Sequence, residues 1–256
     1  MKKKIIIILF FLCFFFFSCK EKILSYHSDG TIQVKHIVLN WFKEHVCWVI
    51  YNEDQSVSDS VFWVRDSIVK TIEFRNNRKY VNIYESKIDS RRFVRCYLSD
   101  GSLHSAGIKI GPNKFGNWST YYPNGNIQMF ERFIHSGQRV FYREYDEDGH
   151  ATTTEGSAIY QFTTQCDTIF SLGEKFSGEF FLIDPPDCTV QLYFSQLDEQ
   201  GLRLDTKPMP VENSKSFIEF VPDEKGTYTF VFDWIIEDKS GEEVLSGSYI
   251  KNFVVQ

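Results

Sequence analysis

The chain has 256 residues, 43% hydrophobic and 24% charged, a globular composition that excludes a disordered or collagen-like protein. That length allows one large domain or two ordinary ones. A formal net charge of −6 argues against binding a nucleic-acid backbone, which needs a clustered basic surface.

The first 18 residues read as an export signal. Lys2, Lys3 and Lys4 form a basic start, and Ile5 to Phe17 is an unbroken apolar run of 13 residues. A membrane-spanning helix needs about 20 apolar residues, whereas a run of this length behind a basic start fits a secretory signal. Ser18-Cys19 then precedes charged Lys20-Glu21-Lys22. A small residue followed by cysteine at this point resembles the lipobox of bacterial lipoproteins, although Phe16 and Phe17 stand where leucine and a small residue are commoner. The resemblance implies cleavage before Cys19, diacylation of its thiol and a tether over 19–25. An ordinary cleaved signal with an incidental cysteine is the alternative. Loss of the three lysines leaves 25 basic against 34 acidic side chains.

Residues 26–150 carry a repeat. Asp100-Gly101, Asn124-Gly125 and Asp148-Gly149 stand 24 residues apart, and Tyr97, Tyr121 and Tyr145 keep the same step. Asp-Gly and Asn-Gly favour two-residue hairpin turns with positive φ at both central positions, and the flanking aromatic and β-branched residues favour strands. Each unit therefore reads as one hairpin of an antiparallel meander, strongest over 93–150. Weaker echoes lie at Tyr26–Ile32, Trp48–Asp54 and Thr71–Asn77. Across 37–49, Ile37, Val38, Trp41, Phe42, His45, Val46 and Val49 also share one helical face, so a single amphipathic helix competes with strands there.

The strong units, above all Gly116-Asn-Trp118-Ser-Thr-Tyr121-Tyr122-Pro-Asn124-Gly125-Asn-Ile127, resemble the MORN-type repeat in the variant found in an antitoxin family of toxin–antitoxin systems. The resemblance implies a β-hairpin array that serves as a contact surface for lipid or protein, without catalysis. An antitoxin would have to stay in the cytoplasm, against the export signal.

After Gly149, Thr152 to Ser157 reads as a polar linker. Beyond it, β-rich runs at 159–164, 175–183, 189–194, 216–221, 227–236 and 248–255 alternate with Gly and Pro, the pattern of a sandwich over 157–256. Pro222-Asp-Glu-Lys-Gly226-Thr-Tyr228-Thr-Phe230 resembles the tyrosine corner of immunoglobulin-like domains, with Phe230 where antibody domains place a cysteine.

Chemistry is sparse in the sequence. No Cys/His spacing suggests zinc, and no nucleophile elbow or phosphate loop is present. Asp146-Glu147-Asp148 falls on a repeat turn and reads as solvated. Cys166 and Cys188 would close a disulfide worth about 3 kcal/mol, or are two separate buried thiols. The remaining candidates are structural or surface residues. Gly101, Gly125, Gly149 and Tyr228 shape turns. Trp118, Tyr121, Tyr122, Tyr142 and Tyr145 either form an accessible aromatic surface or plug the gaps between hairpins.

The expected protein is all-β, a hairpin array followed by an immunoglobulin-like sandwich. It is anchored through Cys19 to a bacterial envelope membrane, the periplasmic or surface face of the outer membrane. It is expected to act as a non-catalytic protein-binding or scaffolding module with an envelope protein partner, with no metal, cofactor or nucleic acid. A glycan-binding accessory protein is the alternative, and an envelope hydrolase or an antitoxin stands behind that.

Overall fold

In the computed structural model, residues 21–39, 45–65, 67–75, 78–85, 90–164 and 169–256 are described. Among them no helix occurs. Cys19, Trp41, Phe42 and Cys166, on which expectations rested, lie outside the described residues.

Twelve strands form one antiparallel sheet in chain order: β1 (Glu21–Tyr26), β2 (Ile32–Val38), β3 (His45–Tyr51), β4 (Val57–Val64), β5 (Ser67–Arg75), β6 (Arg78–Glu85), β7 (Arg91–Tyr97), β8 (Leu103–Ile110), β9 (Asn113–Tyr121), β10 (Ile127–Phe133), β11 (Arg139–Tyr145) and β12 (Ala151–Gly156). The chain divides between Ile127 and Gln128 into two compact units.

Three expectations change. Ile37 and Val38 end β2, and His45, Val46 and Val49 belong to β3, so these described parts of 37–49 are strand and not helix. Ile37 pairs with Cys47 in the ladder between the two. Of the tether expected over 19–25, Glu21 onward is already β1. The polar stretch after Gly149 is also a strand, not a linker, because β12 completes a hairpin with β11 through pairs such as Tyr142–Glu155 and Arg143–Thr154.

The turns explain the 24-residue period and correct its expected geometry. At 98–102, Leu98 N–H donates to Ser102 O and Gly101 N–H to Leu98 O, and the same pattern recurs at 122–126 and 146–150. Gly101, Gly125 and Gly149 have φ of +91°, +91° and +89°, while Asp100, Asn124 and Asp148 are absent from the positive-φ residues. These are three-residue loops ending in a left-handed glycine bulge, so only the glycine needs positive φ. The preceding side chain finishes the turn: Asp100 Oδ1 accepts the Ser102 N–H at 2.8 Å and its hydroxyl at 2.7 Å. Turns 27–31 and 52–56 repeat the form, with Gln55 at φ +63° in the glycine position. The echoes at Tyr26–Ile32 and Trp48–Asp54 are thus hairpin tips of the same type, while the turn of the third, at 76–77, lies outside the described residues.

The second unit continues after β12 with β13 (Ile159–Thr164), β14 (Ile169–Phe170), β15 (Phe176–Leu182), β16 (Cys188–Leu197), β17 (Lys207–Met209), β18 (Lys215–Phe220), β19 (Gly226–Asp238) and β20 (Glu243–Val255). These form a three-stranded sheet, β13-β15-β18, and a five-stranded sheet, β14-β20-β19-β16-β17. The two sheets pack as a sandwich through phenylalanine. Alternate residues of β15 (Phe176, Gly178, Phe180, Leu182) point inward. Across the gap Phe180 meets Phe232 at 4.4 Å and Phe176 meets Phe253 at 4.4 Å between ring centroids. Phe230 is fully buried among Phe176, Phe194, Phe220 and Phe253. The Tyr228 hydroxyl donates to Glu224 O at 2.9 Å, closing the corner before β19.

Candidate functional site

The five aromatic candidates do not form one surface. Trp118 is only 5% exposed: its indole lies over Gly107 on the neighbouring strand, and its Nε1–H donates to Ile108 O at 2.8 Å. A side chain at Gly107 would collide with that ring, so the two residues form a matched pair within the sheet. Tyr145 is also 5% exposed and points at Asp187. These two therefore belong to the core, whereas Tyr121, Tyr122 and Tyr142 are half-buried. The more exposed rings are Phe217, Tyr26, Phe93 and Trp48.

Tyr145 is part of a buried polar cluster. Alternation along β11 turns Phe141, Arg143 and Tyr145 to the inner face. There Arg143 Nε and Nη2 reach Asp187 Oδ2 at 3.0 and 2.9 Å, and Nη1 reaches Thr154 Oγ1 at 2.6 Å. Asp187 ends the Asp184-Pro185-Pro186 loop between β15 and β16, so one carboxylate fastens the last hairpin to the sandwich. Burial opposes the charge on Arg143, but hydrogen bonding and attraction from Asp187 outweigh it and hold the guanidinium protonated. Burial, then the Asp187 hydrogen bond, pushes the Tyr145 phenol well above its ordinary value.

Cys188 stands beside the cluster as a free thiol, its sulfur 3.6 Å from Asp187 Oδ1. Burial pushes this thiol up to about 12 against the pull of Arg143. A thiol so protonated is a poor nucleophile, and every polar group of the cluster is used in holding the fold.

An open constellation lies in the first unit, between the β5–β6 and β7–β8 tips. A cleft of about 520 Å³ is lined by Arg75, Arg78, Lys79, Tyr80, Tyr97 and the Leu98-Ser99 turn. The β6–β7 ladder, ending at Val81–Cys96, brings Tyr80 and Tyr97 onto neighbouring strands. Arg75 stacks on Tyr80 at 3.8 Å, and the Lys79 ammonium sits 4.2 Å from the Tyr97 centroid. Arg78 donates to Ser99 O. Each cation is thus held by a ring or a carbonyl, and among the described residues none is in an ion pair with a carboxylate. Asp100 is the acid whose ionised form Arg78 favours.

No protein-family model matches the chain, and no curated protein aligns with it.

The cleft was not foreseen, although three cations and a tyrosine around one hairpin turn, Arg75 and Arg78-Lys79-Tyr80, are visible in the sequence. Asp146, Asp148 and His150 bring their ligand atoms within 4.8 Å of one another. However, Asp146 Oδ1 is already accepting the N–H groups of Asp148 and His150 as part of the turn. Charge divides unevenly between the units. Residues 20–127 hold 15 Lys and Arg against 11 Asp and Glu, while 128–256 hold 10 against 23.

Proposed function

We propose that this protein is an exported lipoprotein, anchored through Cys19 to an envelope membrane, whose hairpin array is MORN-type and whose role is non-catalytic protein binding or scaffolding. The observation that carries the binding role is the cleft between the β5–β6 and β7–β8 tips, where three cations are held in place and left open to solvent. Preorganised charged and aromatic side chains on a rigid sheet suit recognition, because little freedom is lost when a partner arrives. The basic start, the 13-residue apolar run and Ser18-Cys19 support export and acylation. The acidic balance of 128–256 suits a spacer that resists non-specific contact with anionic envelope polymers.

In-cell crosslinking and co-purification of tagged wild type, with Cys19→Ser as the control, test this reading. Envelope proteins recovered with the wild type and lost with Cys19→Ser support an anchored scaffold. Recovery of no protein partner from either form counts against it. Trp48, 36% exposed and 5.3 Å from Trp63, favours a second reading, stacking of a surface glycan. Glycan binding abolished by Trp48→Ala is the result that separates the two.

A further inference from the structure

We infer that the cleft between the β5–β6 and β7–β8 tips binds an acidic polypeptide segment, an inference that rests on the protein-binding reading and names the chemistry of the partner. Packing over the Tyr80 ring engages the face of the Arg75 guanidinium, an interaction that does not use its in-plane N–H donors. A guanidinium held this way presents a planar fork that matches a carboxylate with little further ordering. Lys79, seated on Tyr97, adds a point charge on the neighbouring strand.

Arg78 donates to the Ser99 carbonyl. That oxygen has two lone pairs, and the second can take an N–H from a bound chain. A carbonyl in the site distinguishes it from a phosphate cradle, which converges N–H donors on one point and excludes acceptors. Three cations on the β5–β6 hairpin, one backbone acceptor on the neighbouring β7–β8 hairpin, and apolar surface from Tyr80, Tyr97 and Leu98 match successive side chains of an extended peptide. Asp100, beside Arg78, disfavours acid at that end, so the carboxylates fall toward Arg75 and Lys79.

The test uses the full chain solubilised in nonionic detergent and a fluorescein-labelled peptide rich in Glu and Tyr, read by fluorescence anisotropy. The Gln-for-Glu peptide and phosphatidylglycerol vesicles are the comparison ligands. The acidic peptide should bind in a salt-sensitive manner, and R75Q/K79Q should weaken it by at least about tenfold, since each charge-assisted hydrogen bond contributes appreciably. Both side chains lie at the surface, so circular dichroism and the melting temperature should match wild type. Equal binding of the Gln peptide, unchanged binding by a folded R75Q/K79Q chain, preference for the vesicles, or no binding of the acidic peptide would each overturn the inference. If R75Q/K79Q still co-purifies the wild-type envelope partner, the cleft assignment fails while scaffolding stands. If wild type recovers no partner, the scaffolding reading itself fails.

Discussion

Tyr145 donates its phenolic hydrogen to Asp187 across 42 residues of sequence, and the same carboxylate holds the buried guanidinium of Arg143. The Arg143 side chain is 3% exposed and that of Asp187 22%, so the pair is largely shielded from water. Removing one partner of such a pair leaves an uncompensated charge in the interior.

Asp187→Ala should therefore destabilise the protein by roughly 3 kcal/mol, measured by chemical denaturation. Tyr145→Phe, which removes only one hydrogen bond, should cost about 1 kcal/mol. A double-mutant cycle between Arg143→Met and Asp187→Ala should show strong coupling. Additive effects would mean that the two groups do not support each other.

Two glycine-to-alanine changes should fail for different reasons. Gly125 has φ +91° and open space around the added Cβ, so Gly125→Ala should cost about 1–2 kcal/mol through backbone strain alone. At Gly107 the new methyl would lie 2.3 Å from the Trp118 ring, a collision expected to cost about 1–3 kcal/mol. Shortening Trp118 to Leu should lessen the penalty at Gly107 and leave that at Gly125 unchanged, as thermal melts of the single and double variants would record.

Cys188 should resist iodoacetamide at neutral pH in the folded protein, because its thiol is pushed up to about 12. In unreduced, unfolded protein it should label readily. Absence of that labelling, restored by a reductant, would show that it is paired with Cys166 in the cell's product.

The turn carboxylates set an acid limit. The Ser102 hydroxyl, then its N–H, holds Asp100 below the ordinary 3.8, and Thr31 and Ser56 act likewise on Asp29 and Asp54. Because the folded value lies below the unfolded one, the contribution of each is fully present above the ordinary carboxylate range. It is lost as pH falls through the lowered value. Carboxyl chemical shifts followed against pH should show Asp100 titrating below 3.8, and Ser102→Ala should move it upward.

Much of this architecture can be read from the chain. The run at Ile159–Thr164 is β13 residue for residue, and each Asn/Asp-Gly pair marks a hairpin tip. The misreadings have physical causes. β12 is Thr-rich and polar, and it is strand because of its pairing with β11, which no local pattern announces. β14 has two residues and β17 contains Pro208, so neither offers a run long enough to recognise. Trp118 and Tyr145 were candidates for the surface because Gly107 and Asp187, which bury them, lie on other strands or loops. The cleft depends on Lys79 and Tyr97, 18 positions apart in sequence, meeting across two hairpins.

The single carboxylate of Asp187 also gives the array two unlike ends. At one end, among the described residues, β1 pairs with β2 alone, so its outer edge has backbone groups to offer. At the other, the last hairpin is fastened by Arg143 and Tyr145 to a loop of the sandwich. A duplicated 24-residue module could therefore be spliced into the middle of the series, each copy contacting only its neighbours, without disturbing either terminus. The number of hairpins becomes a quantity that inheritance can change one at a time, while the closing piece stays the same.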